Sequence, residues 1–381
     1  IRGFDKSGKD AEIHAPSTIL AAGGAGAIYL RNDNQKTIMG QGYRLAAEAG
    51  LALKDMEFVQ FYPIVVDDEH LASIILYPPT PKMARLISAS GEDILQKHGF
   101  DDVNQAILQK RDAFAKMLFE EAAENGQVFM DFSRVSDDVW HNHPMNIISK
   151  LKKDIRSTPV AVSPATHFFM GGVEIDKNGQ TSLPGLFACG EVVWGLHGAN
   201  RRGGNALTEC LVTGMIAGQN AAEYSPASIK YNTPVIQKDS IAEPITDIQK
   251  LSFRTLDENH DNRLLLKELR RKIRSIAWNN AGIIRSEGGL KNGLEDIISV
   301  NTKLYKISPK DVYEMKLKED LLSASFVLNA ILLASLARRE SRGSFFREDF
   351  KKEDDANWLK NSVLSHNPKD NAFEVDFVDV L

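Results

Sequence analysis

Leu186-Phe-Ala-Cys-Gly-Glu191, then Gly198-Ala-Asn-Arg-Arg-Gly-Gly-Asn205 and an apolar run to Ala222, is the stretch that decides the fold. A short apolar strand ends at Gly190-Glu191, and a Gly-rich loop then turns into a helix predicted over 206–222. A helix entered this way leaves its first N–H groups and the positive end of its dipole open to an anion. Gly203 and Gly204 let a phosphate or a flat ring lie against the backbone. The competing reading is a tight strand–helix junction without a ligand. Arg201, beside Asn200, offers a planar fork that matches a carboxylate bidentately; its alternative is a surface or capping arginine.

Toward the N-terminus, residues 1–22 read as a β-hairpin around Asp5-Lys-Ser-Gly8 that feeds a short buried strand, ended by Gly23-Gly24-Ala25-Gly26. A helix over 40–50, closed by Gly50, and a strand over 51–61 follow. From about residue 72 to 157 the pattern changes to an inserted α+β lobe with a helix over 102–124. Strand and turn return over 164–193, with a hairpin turn at Asp176–Gly179. There His167, between Pro164 and a Gly pair, stands as a candidate ligand-binding side chain or a satisfied structural one. A polar connector occupies 226–248. Helices are predicted near 262–281, 286–301, 311–318 and 320–339, and an irregular charged tail closes the chain.

The 381 residues carry 46 Lys plus Arg against 51 Asp plus Glu, a mild net charge of −5 that argues against a nucleic-acid partner. Two cysteines, Cys189 and Cys210, are too few for a disulfide scaffold, a zinc finger or a protein-borne iron–sulfur cluster. The uncharged apolar run Leu321–Ala337 falls short of the roughly 20 residues of a membrane span and carries three serines, so it reads as a core helix. A cytoplasmic chain with no membrane span is expected. His141 and His143 lack a matching ligand set. Asp257 opens a calcium-loop-like spacing in which Asn262 stands where glycine is needed, so Asp257 reads as a helix-start residue.

Seven motifs in order then carry a resemblance: Thr18–Gly26, Asp55–Phe61, His167–Gly172, Pro184–Glu191, His197–Leu207, Trp278–Arg285, and Ser341–Phe350 with Asn357-Trp-Leu359. Together they resemble the flavoprotein subunit of succinate dehydrogenase and fumarate reductase, a family that includes L-aspartate oxidase. The resemblance implies an α/β flavin-binding domain (its Rossmann-like first half missing), an inserted α+β capping domain and a C-terminal helical domain. The implied partition is 1–72 with 158–225, then 73–157, then 226–381. It places FAD against Ala22, Gly23, Gly24 and Gly26, near Glu191, and at Arg202, Gly204, Asn205, Ala206 and Leu207, where the helix dipole favours reduced flavin. His167 and Arg201 match the family's substrate-carboxylate residues, with hydride moving between the substrate and flavin N5.

Two departures stand out. No GxGxxG fingerprint is present, so an N-terminally truncated fragment is expected. In the site, Tyr62 stands where the family has a histidine, and Lys116 aligns with its acid/base arginine; the lobe's Thr-Glu pair has no counterpart near Pro78–Lys82. The expectation is an FAD-dependent oxidoreductase acting on a CH–CH bond of a small (di)carboxylate, with Lys116 and Tyr62 as acid/base groups. A separate iron–sulfur protein would carry electrons and hold the chain at the membrane face where it is peripheral. The alternatives are an L-aspartate-oxidase-like amino-acid oxidase and an inactive homologue serving as an assembly subunit.

Overall fold

The computed structural model describes residues 1–67, 74–142, 145–149, 154–224 and 262–380. The connector at 226–248, His143 and the Asp257 spacing lie outside them. The chain opens with the hairpin β1 (Arg2–Phe4) and β2 (Asp10–Glu12), then β3 (Thr18–Leu20), α1 (Gln41–Glu48), β4 (Leu53–Lys54) and β5 (Val59–Val66). A lobe follows, made of β6 (Arg85–Ile87), α2 (Ile94–Lys97), α3 (Val103–Asn125), β7 (Val128–Asp131) and α4 (Met145–Ile148). The chain returns through β8 (Val160–Phe169), β9 (Gly172–Val173), β10 (Leu186–Ala188) and α5 (Asn205–Glu223). It ends with α6 (Asn262–Asn280), α7 (Glu287–Lys306), α8 (Val312–Ala337), α9 (Asp355–Trp358) and the hairpin β11 (Lys360–Asn367) with β12 (Ala372–Asp379).

β3 and β10 pair in parallel, which sets the glycine stretch after β3 beside Gly190-Glu191 after β10. Of the two four-stranded sheets, one runs β12-β11-β4-β9 and the other β5-β8-β7-β6. Every residue of β5 is buried, so it reads as a continuous apolar run and not as an alternation. Two cores meet along it. Val59 and Phe61 of β5, with Phe169 of β8, join a core shared with α1 and the three long C-terminal helices. Tyr62 to Val66, with Val160 to Ala165, join the core of the lobe. The β5–β8 register shifts at Gln60/Phe61 and again between Tyr62 and Val65, where the pair passes from one core to the other. Such irregularities bend a strand and re-aim its side chains.

Three expectations change. The strand over 51–61 is broken at Asp55, whose φ of 54° an aspartate tolerates better than most residues. Its carboxylate accepts from Trp194 Nε1 at 2.6 Å and Ser362 N at 2.9 Å. The helices expected over 311–318 and 320–339 are one, α8. The charges that interrupt its apolar pattern face neighbours: Arg44 donates to Glu319, Gln41 to Asp320, and Lys318 to the Ile307 carbonyl. Among the described residues, α8 is the one helix long and apolar enough to cross a membrane, and most of that stretch is buried in the protein core. The irregular tail is a hairpin in which Phe373, Val375 and Phe377 alternate with acidic residues, and β11 adds to β4. Period-two alternation was present there, hidden by charge.

A buried ionic junction ties these parts together. Arg338, fully buried at the end of α8, donates to Glu57 Oε1 at 2.7 Å, Glu340 Oε1 at 2.9 Å, and the carbonyls of Trp358 and Lys360. Ser362 Oγ donates to the other oxygen of Glu57 at 2.6 Å. Close packing also fixes the loop before α5: Gly343, at φ 57°, abuts Ala199, and Ser344 N donates to the Ala199 carbonyl at 3.0 Å. A side chain at 343 would lie 2.4 Å from that carbonyl oxygen, so glycine is required there.

Candidate active site

The irregular crossing of β5 and β8 presents Gln60 on one strand and His167 and Phe168 on the other. Gln60 is fully buried and is spent on the loop before α5. Its Nε2 donates to Asn200 Oδ1 and to the Arg201 carbonyl, both at 3.0 Å, and its Oε1 accepts from Arg201 Nη2 at 2.8 Å. Arg201 is only 4% exposed and lies over the Phe168 ring, 4.7 Å from its centroid. Among the described residues no carboxylate pairs with it, and its Nε is buried without a partner. Burial and the neighbouring Arg111 pull its pKa below the usual guanidinium value. A buried guanidinium in this state is incomplete without an anion.

His167 is oriented by Asp33, whose Oδ2 lies 2.7 Å from Nδ1. Asn34 in turn donates to the other oxygen of Asp33 at 3.0 Å. The ring of Tyr62 sits 5.6 Å from that of His167 and 5.1 Å from that of Tyr77. The Tyr62 hydroxyl donates to the Leu76 carbonyl at 3.3 Å, and burial pushes its pKa well above the ordinary phenol value.

From the lobe, α3 is kinked at Lys110, and the next residue crosses to the loop. Arg111 Nη2 donates to Asn200 Oδ1 at 2.7 Å and to the Arg201 carbonyl at 2.8 Å, while Asn200 Nδ2 donates to Asp112 Oδ2 at 2.7 Å. The Nε of Arg111 is also buried and unpartnered. Lys116, expected here, does not join the group. It sits more than a helical turn further along α3, paired with Glu120 and lying over the Phe346 ring at 4.6 Å. The Arg-Asp pair is the signal; the guanidinium that reaches the loop is its own Arg111, not the side chain five residues on. Gln60 and Tyr77 were missed as well, although Gln60 stands within the Asp55–Phe61 motif.

A second cluster lies at the end of β3 and β10. Gly24 and Gly26 are buried there, and Ala22 and Gly23 are half-buried. A side chain at 24 would meet Glu191 Oε1 at 2.2 Å, so the Glu191 carboxyl covers the glycine backbone. That carboxyl accepts from Phe169 N at 3.0 Å, and burial pushes its pKa up to about 7. Behind it, His197 Nε2 and Glu209 Oε2 meet at 2.8 Å, both buried, and fix the loop to α5. α5 starts at Gly204, φ 87°, with no side-chain cap, and nothing lies within 4 Å of a Cβ placed on Gly203 or Gly204 among the described residues. Arg202, Asn205 and Leu207 are exposed there, while Ala206 packs near Phe58 and Phe168. The uncapped amides and the open glycine surface therefore stand next to Arg201.

A family model described as FAD binding domain matches residues 2–207, and one described as fumarate reductase flavoprotein C-term matches 270–381. An uncharacterised FAD-dependent oxidoreductase of Methanocaldococcus jannaschii is 32% identical over 94% of this chain and 65% of its own length. A CoM/CoB fumarate reductase subunit of Methanothermobacter marburgensis is 33% identical over 93% of this chain and 64% of its own. This chain thus spans under two thirds of those relatives. A solved E. coli quinol fumarate reductase chain, FrdA, superposes with a TM-score of 0.82 at 25% identity, over 98% of this chain and 67% of that one.

Proposed function

This chain belongs to the fumarate reductase and succinate dehydrogenase flavoprotein family, and on that premise we propose that the protein containing it is an FAD-dependent oxidoreductase acting on a small carboxylate. The observation that carries the substrate class is Arg201: a buried guanidinium without a carboxylate partner among the described residues, beside a second guanidinium whose Nε is also orphaned. The residues fit the ring end of FAD. The uncapped start of α5 supplies unshared N–H groups, Gly203 and Gly204 leave room for a flat group, and Glu191 closes the side next to Gly24. FAD, when bound, supplies a flat two-electron carrier able to give or take a hydride.

The chain's own groups do the rest. Arg201 anchors the carboxylate, and Gln60 holds its fork in plane. Arg111 reaches over from the lobe and ties it to the anchoring loop, which shields the site from water. Asp33 fixes the ring of His167, leaving Nε2 for the substrate. Tyr62, with its hydroxyl bound and its pKa raised, serves as wall and not as acid. A separate core favours an inserted lobe within the plan of 1–72 with 158–225, 73–157 and 226–381, and that core also takes in Tyr62–Val66 and Val160–Ala165 from the flanking strands. The two cysteines of this sequence cannot hold a cluster, and an iron–sulfur partner suits the role of carrying the electrons.

The test is direct. The purified protein is mixed with FAD, unbound FAD is removed by gel filtration, the visible spectrum of the protein fraction is recorded, and a carboxylate is titrated in. A flavin band that shifts on titration, and does so far more weakly in Arg201→Lys, is the expected result. No flavin band after FAD addition ends the proposal.

A further inference from the structure

Among the described side chains of the site, one guanidinium stands without a carboxylate beside it. Arg111 has Asp112 at 3.5 Å, and His167 has Asp33 at 2.7 Å. Arg201 has no carboxylate among the described residues, so one guanidinium of the cluster calls for an anion. Among the described residues, the stretch that follows Tyr77 is poor in donors. Pro78, Pro79 and Pro81 have no N–H. The N–H of Thr80 is taken by Asn104 Oδ1 at 2.6 Å, and its carbonyl by Asn104 Nδ2 at 2.9 Å. The Tyr62 hydroxyl is taken by the Leu76 carbonyl.

What this stretch offers instead is ring surface. Tyr77 is 49% exposed, and behind it Tyr62 is buried, with His167 continuing the stack at ring separations of 5.1 and 5.6 Å. Burial raises the pKa of the Tyr77 hydroxyl, with Asp33 adding to the rise and Arg201 and Arg111 opposing it, so the ring lies within electrostatic reach of the anchor. An ionised group placed there would lose its hydration without gaining a partner, whereas a flat conjugated group would gain ring contacts.

We propose that Tyr77, backed by Tyr62, selects a monocarboxylate whose other end is flat and uncharged, such as an aryl-substituted enoate. This rests on Arg201 as the carboxylate anchor and names the class of substrate that the anchor receives.

The FAD-loaded protein is titrated calorimetrically with three probes: trans-cinnamate, fumarate and propanoate. The proposal expects cinnamate to bind about tenfold or more tighter than either of the others, the size of a favourable ring contact. Tyr77→Ala should remove that advantage while leaving propanoate unchanged; the exposure of Tyr77 keeps the fold out of the comparison. Arg201→Lys should weaken all three. Fumarate binding as tightly as cinnamate, or an advantage that survives Tyr77→Ala, overturns the selection by Tyr77 while the anchor stands. Binding of none of the three to the flavin-loaded wild type overturns the anchor itself, and the selection with it.

Discussion

Nη2 of Arg111 and the main-chain carbonyl of Arg201 meet at 2.8 Å, so the lobe and the loop before α5 are joined at the residue proposed to anchor the anion. Arg111→Gln should therefore weaken carboxylate binding by about 10- to 100-fold, the scale of one lost charge-assisted hydrogen bond. Lys116→Met, which touches only the Glu120 pair and the Phe346 ring, should leave binding within about twofold, as surface pairs do. Calorimetry on the two variants side by side checks both; equal losses would return Lys116 to the site.

Arg201→Lys keeps the charge and removes the fork. It should raise KM and lower kcat together, by about 2–3 kcal/mol in kcat/KM, because a point charge cannot hold both Gln60 and a carboxylate in one plane. Steady-state kinetics of the flavin-loaded protein read this, and unchanged constants would remove Arg201 from the site.

Glu191 gives a pH dependence to stability in the absence of FAD. Its folded pKa, about 7, exceeds the ordinary value of 4.5, so the folded chain keeps a proton that the unfolded chain has already released. Stability therefore falls as pH rises from about 4.5 to about 7, by up to about 3 kcal/mol, and is level above that. Glu191→Gln should be more stable than the wild type at pH 8 and equal to it near pH 4, by thermal denaturation. Asp55, also raised to about 7 by burial and by Glu57, leaves a residual slope in both proteins.

Arg338→Met leaves Glu57 and Glu340 buried without their cation and should cost about 3–5 kcal/mol. Combining it with Glu57→Gln should cost less than the two single changes together, since they share one network. Denaturant midpoints of the three variants test this, and a simple sum would mean that the junction is not coupled.

Much of this architecture can be read from the sequence, because several elements carry their own punctuation. Gly50 closes α1, the Asp176–Gly179 turn folds as expected, and α5 begins within one residue of the predicted start. What escaped depends on contacts between distant segments. The bend at Asp55 is stabilised by Trp194 and Ser362, and neither is its neighbour in sequence. The continuity of α8 depends on partners for Glu319 and Asp320 in α1. In the site, Arg201 and His167 were visible as residue types in motifs. The choice of Arg111 over Lys116 was not, because the kink at Lys110 decides which side of α3 faces the loop.

Each long strand of the central pair is shared by two cores, and the first of the two shifts in their pairing falls at Gln60. The inserted lobe is therefore not a flap on slack tethers. To swing away it would have to flex the ribbon that carries Gln60 and His167, so the support of the proposed anchor would move with it.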